Sequence, residues 1–419
     1  MKGKLKLILG NPKVIFQILF TLFILFLFKV GGDIDLPLIP KGIDVLRLPW
    51  MPFSKTPLWK LFGLGIYPYI TASIVVQFLQ KLLPLCREWK EQGQMGKRKL
   101  NLLTRVLAML FVFGQTFSYL NAYNRSLNAY NRSFSIVLPP ISTLHCFLIA
   151  LMAAAGCALL IWFSDLINSK GVGNGTSILI MASMSGNLID SLKEMHQKYL
   201  VDYNIEKLLI FAGVLSILLV FLILTVVVQT TSLKIPVHYA RNQAHTRGKS
   251  YIPFKINTAG VMPLILTSAL LQPFQFLAQV IGNESFKYLV NYFNTPKIIN
   301  FAFALQIVLI VVFSFFSAFM NVNPEDISEH LSKQDAYLAG LRPGEQTTNY
   351  LSSLLFKITT LGTIFFVSLV TIPYLMDTFL GLKQMKLGGT SLLIIVSVAI
   401  ETIQRIMATA NKKEYAKLL

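Results

Sequence analysis

The stretch Gly65–Phe78, GIYPYITASIVVQF, has a counterpart in Gly260–Pro273, GVMPLILTSALLQP, 195 residues further on. Gly65 aligns with Gly260, Pro68 with Pro263, Ile70 with Ile265, Ser73 with Ser268 and Gln77 with Gln272. A second pair follows in the same order: GTSILI at Gly175–Ile180 matches GTSLLI at Gly389–Ile394, at an offset of 214. Two ordered matches at similar offsets describe an internal duplication, even though an apolar composition raises the rate of chance coincidence.

What is duplicated is membrane-spanning. Of 419 residues, 54% are hydrophobic and 14% are charged, against about 25% charged in a soluble domain. A spanning helix needs roughly 20 apolar residues. Ten such stretches occur, near 14–30, 64–85, 102–119, 136–163, 176–190, 206–231, 257–281, 299–320, 350–376 and 387–407. The repeats set spans 2 and 5 opposite spans 7 and 10, so the duplicated unit holds five spans. An odd number sends the second copy in from the other face of the membrane, which makes the repeat inverted. The expected fold is therefore an all-α membrane protein of ten transmembrane helices in two inverted five-helix halves, residues 1–190 and 191–419.

The net charge of +19 informs topology before it suggests nucleic acid. With the N-terminus in the cytoplasm, the inner segments hold nearly twice as many Lys and Arg as the outer ones. Basic residues are retained on the cytoplasmic side, so both termini are expected there. The apolar run after the basic start is long and has no small-residue cleavage site, so it reads as an uncleaved first span. Cys86, Cys146 and Cys157 fall in no CxxC or CxxH frame, and no metal or cofactor chemistry is expected.

Inverted repeats are usual in proteins that move something across a bilayer, with the path between the halves. A charge-coupled transporter keeps ionisable residues at membrane depth. Here Lys81, Asp165, Glu401 and Arg405 sit at span ends, and the polar residues within the spans are neutral. This favours a passive pore over a secondary transporter. No HExxH, GxSxG or paired aspartate at depth suggests an intramembrane enzyme. The repeat aligns Ile70 with Ile265, Ile180 with Ile394 and Ile66 with Val261. Any single isoleucine in a span ordinarily packs or meets lipid; four at symmetry-related places would make a constriction that holds back water and ions by dewetting. Two inner loops are long, 232–255 and 321–349, and loops of that length tend to carry function. Segment 41–62 is too short and mixed to span, and reads equally as an interfacial anchor or an inward-folded stopper.

Six blocks in order then resemble one family. They are GIYPYITASIVVQFL (65–79), WKEQGQMGKRKLN (89–101), GVGNGTSILI (171–180), IPVHYAR with YIPFKINTAGVMPLI (235–241, 251–265), NPEDISEHL with GLRPGEQTTNYL (323–331, 340–351) and LGGTSLLI (387–394). The family is SecY/Sec61, the channel subunit of the protein-conducting translocon, in its bacterial or organellar form. The resemblance implies two halves hinged between spans 5 and 6, and a pore ring at Ile66, Ile70, Ile180, Ile265 and Ile394. It implies a lateral gate bearing Thr71, Gln77 and Asn257, a plug in 41–62, and docking of a SecA-type motor ATPase or the ribosome on Arg241, Arg247, Lys249 and Arg342. SecE-like and SecG-like small subunits, preproteins with their signal peptides and the lipid bilayer are the other implied partners, in the plasma membrane.

Three departures qualify the match. The loop between Arg241 and Tyr251 is shorter than the family pattern and lacks its GRK and GG stretches. The first outer loop is shortened, and its plug region lacks the family's glycines. LNAYNRS at 120–126 repeats in tandem at 127–133, read as an outer loop with no evident chemistry. These departures suit a divergent general channel, or an accessory SecY channel serving a dedicated second SecA motor and a narrow set of exported substrates. A membrane insertase without a through-pore is the remaining rival.

Overall fold

The computed structural model describes residues 11–38, 60–134, 141–199, 205–239, 251–268, 270–271, 301–338, 340–380 and 388–418. The chain forms two compact units: Met1–Asp190, Gln272–Tyr292 and Glu401–Leu419 make one, and Ser191–Leu271 with Phe293–Ile400 the other.

The first unit contains α1 (Pro12–Asp33), α2 (Tyr67–Leu82), α3 (Pro84–Glu91), α4 (Gln94–Phe134), α5 (Thr143–Lys170) and most of α6 (Gly175–Tyr199). α4 is its central helix, packed against both α2 and α5. Ala72, Ala108 and Ala153 lie in the shared core with Val112, Ile149 and Ile161. Small residues let backbones approach closely, which matters where lipid provides no hydrophobic drive between helices. Thr21 of α1 donates to Gln17 O at 2.8 Å and accepts from Val172 N at 3.0 Å, tying the first helix to the turn after α5.

The GNGTS motif explains the start of α6. Gly175 N donates to Asn168 Oδ1 at 2.8 Å, Thr176 N donates to Asn174 Oδ1 at 3.2 Å, and the Thr176 and Ser164 hydroxyls lie 2.9 Å apart. These bonds satisfy donors left open at a helix start and draw it onto α5. A Cβ on Gly175 would collide with the Ser164 carbonyl oxygen. Gly175→Ala is therefore expected to destabilise the protein by about 1–3 kcal/mol, the range for overpacking, read as a lower unfolding temperature in detergent.

The second unit contains α7 (Ile205–Thr230), β1 (Ser232–Tyr239), β2 (Tyr251–Lys255), α8 (Phe301–Asn321), α9 (Pro324–Lys333), β3 (Ala336–Leu338), α10 (Glu345–Leu380) and the first part of α11 (Gly388–Leu418). α8 and α10 pack together, with Phe303 stacked on Tyr374 at 3.8 Å between ring centroids and Phe315 on Phe356 at 4.9 Å.

Seven described helices are long and apolar enough to cross a membrane, and an eighth is obtained if α2 and α3 are counted as one bent span. Their outward faces are apolar, as at Phe16, Leu19, Phe26, Leu209, Leu219 and Ile364, which is the surface hydrocarbon chains require. The protein is a multi-pass membrane protein. Of the ten expected spans, the fifth corresponds to the short apolar segment Gly175–Gly186, and the seventh is described only in its first part, to residue 271.

Two boundaries and one element differ from expectation. The span expected at 64–85 ends at Leu82, and the chain turns by 96° into α3. Pro84 disfavours helical geometry at Leu83. The outer loop expected at 120–135 is instead helical, α4 continuing to Phe134. Leu120 and Tyr123 are buried, and Asn124 clasps the chain before α5, donating to Ile141 O at 2.7 Å and accepting from Ile141 N at 3.0 Å. Leu120, Tyr123 and Asn124 share a helix face by their spacing, so a polar sequence continues the helix. The third difference is a three-stranded sheet, order β2-β1-β3, added outside the membrane to a fold expected to be all-α.

Candidate functional site

The two repeat stretches begin with the same backbone device. Gly65 has φ +60° and Gly260 has φ +67°, a left-handed conformation that L side chains rarely adopt. Each glycine is followed closely by a helix with proline in its first turn, Pro68 or Pro263, where a missing N–H costs nothing. The matched sequence thus encodes a matched helix entry in each unit.

The five expected ring isoleucines each lie near a helix start. In the first unit, Ile66 is 3% exposed at the start of α2, while Ile70 one turn on and Ile180 in α6 are half-buried. In the second, Ile265 is 6% exposed and Ile394, near the start of α11, is 1% exposed. Ile66 immediately precedes α2, and the other four lie within the first two turns of their helices.

Thr71 and Gln77 of α2 are half-buried, and the Thr71 hydroxyl donates to Tyr67 O at 3.2 Å. Asn257 is 5% exposed; its amide donates to Gly260 O at 3.2 Å, bracing the left-handed turn, while its Oδ1 has no partner among the described residues. An unpaired buried acceptor costs about 1–3 kcal/mol.

The two long loops, 232–255 and 321–349, meet in the second unit. Ser232–Pro236 of β1 pairs antiparallel with β2, and Val237–Tyr239 pairs with β3. Because β1 changes partner after Pro236, the proline need not serve two neighbours at once, which a central strand would otherwise demand. Ile235 and Val237 point inward with Phe254, Leu338, Leu351 and Ile358; Lys234 and His238 point outward. That alternation is a half-buried strand pattern, and it was the available signal for the sheet. The prolines at 236 and 253 obscured it.

Arg342 sits between β3 and α10, exposed and on a firmly held turn. Its N–H donates to Gln346 Oε1 at 3.3 Å and its carbonyl accepts from Thr347 Oγ1 at 2.9 Å. Ser328 of α9 donates to Gly344 O at 3.0 Å, and Gly340 and Gly344 take positive φ at the turn's two bends. On α9, Lys333 bonds Glu329 at 2.6 Å and holds its carboxyl below the usual range. Arg241, Arg247 and Lys249 lie outside the described residues, as does 41–62 except for its last three positions.

The sequence as a whole has recognisable relatives. The family model named SecY matches residues 60–403. A protein translocase subunit SecY of Staphylococcus aureus is 37% identical over 417 residues, covering 95% of each chain. The chain belongs to the SecY family. The SecY fold extends to distant structures: one described as a protein conducting channel superposes with a TM-score of 0.64 at 18% identity, over 94% of this chain and 91% of that one. Sec61 in a canine ribosome-channel complex from the endoplasmic reticulum gives the same score, identity and coverage.

Proposed function

We propose that this SecY-family chain is the channel-forming subunit of a bacterial protein translocase, a passive conduit and not an enzyme. The carrying observation is the 37% identity to a protein translocase subunit SecY over 95% of both chains. Unfolded preproteins cross through a constriction made by Ile66, Ile70, Ile180, Ile265 and Ile394, with the chain's two halves inverted about it. Isoleucine side chains seal by excluding water while offering no specific grip, so sequences of every kind pass. Signal peptides and apolar helices leave sideways through a gate bearing Thr71, Gln77 and Asn257, drawn by about 0.8 kcal/mol for each CH₂ moved from water to lipid. The energy of transport comes from a SecA-type motor or the ribosome docked on the inner loops, with SecE-like and SecG-like subunits bracing the channel. The ten-span topology with both termini cytoplasmic puts 232–255 and 321–349 on the motor's side.

The test is ATP-driven transport of a radiolabelled preprotein into proteoliposomes holding the channel, its small subunits and SecA. Protease-protected preprotein is expected, and it disappears when the channel is omitted. No protection with any motor, from an intact complex that still inserts apolar helices, would make the chain an insertase. The short segment between Arg241 and Tyr251 favours a second reading, an accessory channel with its own motor. Transport driven by a second SecA and not by the general one would establish it.

A further inference from the structure

We propose that the second unit holds an internal water site where β2 runs into the helix that opens at Met262. Ile256 alone separates β2 from Asn257, and three elements of the same unit close on this short connection. Ile256 N donates to Thr231 O at 3.1 Å, just past the end of α7. Asn321 Nδ2, at the end of α8, donates to Thr258 O at 3.2 Å. Gly362 of α10 stands so near that a Cβ there would lie 3.3 Å from the Ile256 carbonyl oxygen. The backbone of the connection is thus held by its neighbours, while the polar side chains around it are not.

Asn257 Oδ1, Thr258 Oγ1, Thr359 Oγ1 and Gln229 Nε2 are buried atoms with no hydrogen-bond partner among the described residues. Asn257 is 5% exposed, Thr359 2% and Gln229 8%. Thr359 lies one turn before Gly362, on the arc of α10 that meets Ile256, and Gln229 is two residues before Thr231. Thr360, Thr363 and Thr378 of the same helix each donate to the carbonyl four residues earlier, at 2.9, 2.8 and 2.9 Å, the usual outlet for a hydroxyl within a helix. Thr359 does not, which leaves its hydroxyl for another partner. The set matches water. An amide N–H only donates, an amide oxygen only accepts and a hydroxyl does either, so a molecule with two donors and two acceptors can serve them together. Buried waters make about three bonds of this kind to groups otherwise unpaired. None of the four side chains is ionisable, so an ion would enter without a counter-charge, which burial penalises heavily. The proposal rests on burial and contact and is independent of the gate role given to Asn257.

Crystals of the full chain grown in a lipid mesophase, at a resolution that shows ordered water, should reveal a water peak within hydrogen-bond distance of Thr359 Oγ1 and at least one of the other three atoms. A map that resolves these side chains with no water among them overturns the proposal. Thr359→Val, which removes the hydroxyl at nearly constant shape, tests it in a second way. Deleting an unpaired buried hydroxyl leaves stability unchanged or raised, whereas deleting one partner of a shared water strands the others. In nanodiscs the full chain should therefore unfold about 2 °C lower or more with Thr359→Val, and likewise with Thr258→Val. The two together should cost less than the sum of the separate losses, because both hydroxyls serve one network. An unfolding temperature unchanged or raised by Thr359→Val overturns the proposal, and so do additive losses. If a variant fails to fold, the crystal map alone decides.

Discussion

Ile70→Gly, Ile180→Gly, Ile265→Gly and Ile394→Gly together are expected to turn a silent protein into a leaky one, seen as steady ion conductance in planar bilayers without preprotein or motor. The physical reason is the steepness of dewetting: a narrow apolar constriction excludes water, and an ion cannot shed its hydration to follow. Glycine removes four side chains and exposes backbone polar groups that water will hydrate. Ile265 and Ile394 are buried, so the quadruple variant also loses packing, and large-to-small changes cost several kcal/mol each at buried sites. Ile180→Gly and Ile70→Gly, at half-buried positions, give a gentler pair in which a smaller leak should persist. Silence from correctly assembled quadruple and double variants would remove these residues from the seal.

Arg342→Glu should abolish productive docking while leaving the channel folded. The arginine stands on a turn secured by Gln346, Thr347 and Ser328, and its guanidinium has no ion-pair partner among the described residues. Its loss therefore takes nothing from the protein's interior, and the unfolding temperature should stay where it is. A partner that pairs with it loses about 2–5 kcal/mol, which is at least a tenfold rise in Kd at about 1.4 kcal/mol per decade. Binding of SecA to the channel in nanodiscs reads this directly. Arg342→Lys should fall between, because lysine keeps the charge but not the planar fork. Unchanged SecA affinity in Arg342→Glu would move docking off this turn.

Where sequence reasoning succeeded, periodic apolar pattern and backbone chemistry agreed. The Gly65 and Gly260 matches, noticed as letters, proved to be left-handed glycines opening helices with an early proline. The apolar runs at 14–30, 206–231 and 299–320 each became one helix. Failures arose where composition and conformation part company. The Asn-rich run after residue 120 is polar enough to look like a loop, yet it stays helical because Leu120, Tyr123 and Asn124 find partners on one face. The strand alternation of 232–239 was masked by Pro236, whose tolerance depends on a change of strand partner that only tertiary structure supplies. Hydropathy alone ran through Pro84, although the proline marked the break.

The measurement that bears most directly on the central claim is photocrosslinking of a stalled preprotein during SecA-driven transport. Photoreactive side chains would replace Ile66, Ile180, Ile265 and Ile394 one at a time, with Phe16 and Leu209 on the lipid-exposed surface for comparison. A passive channel predicts that the translocating segment crosslinks to all four isoleucine positions and to neither surface position. Crosslinks confined to the surface or to the gate positions, with none at the isoleucines, would contradict a path through the ring.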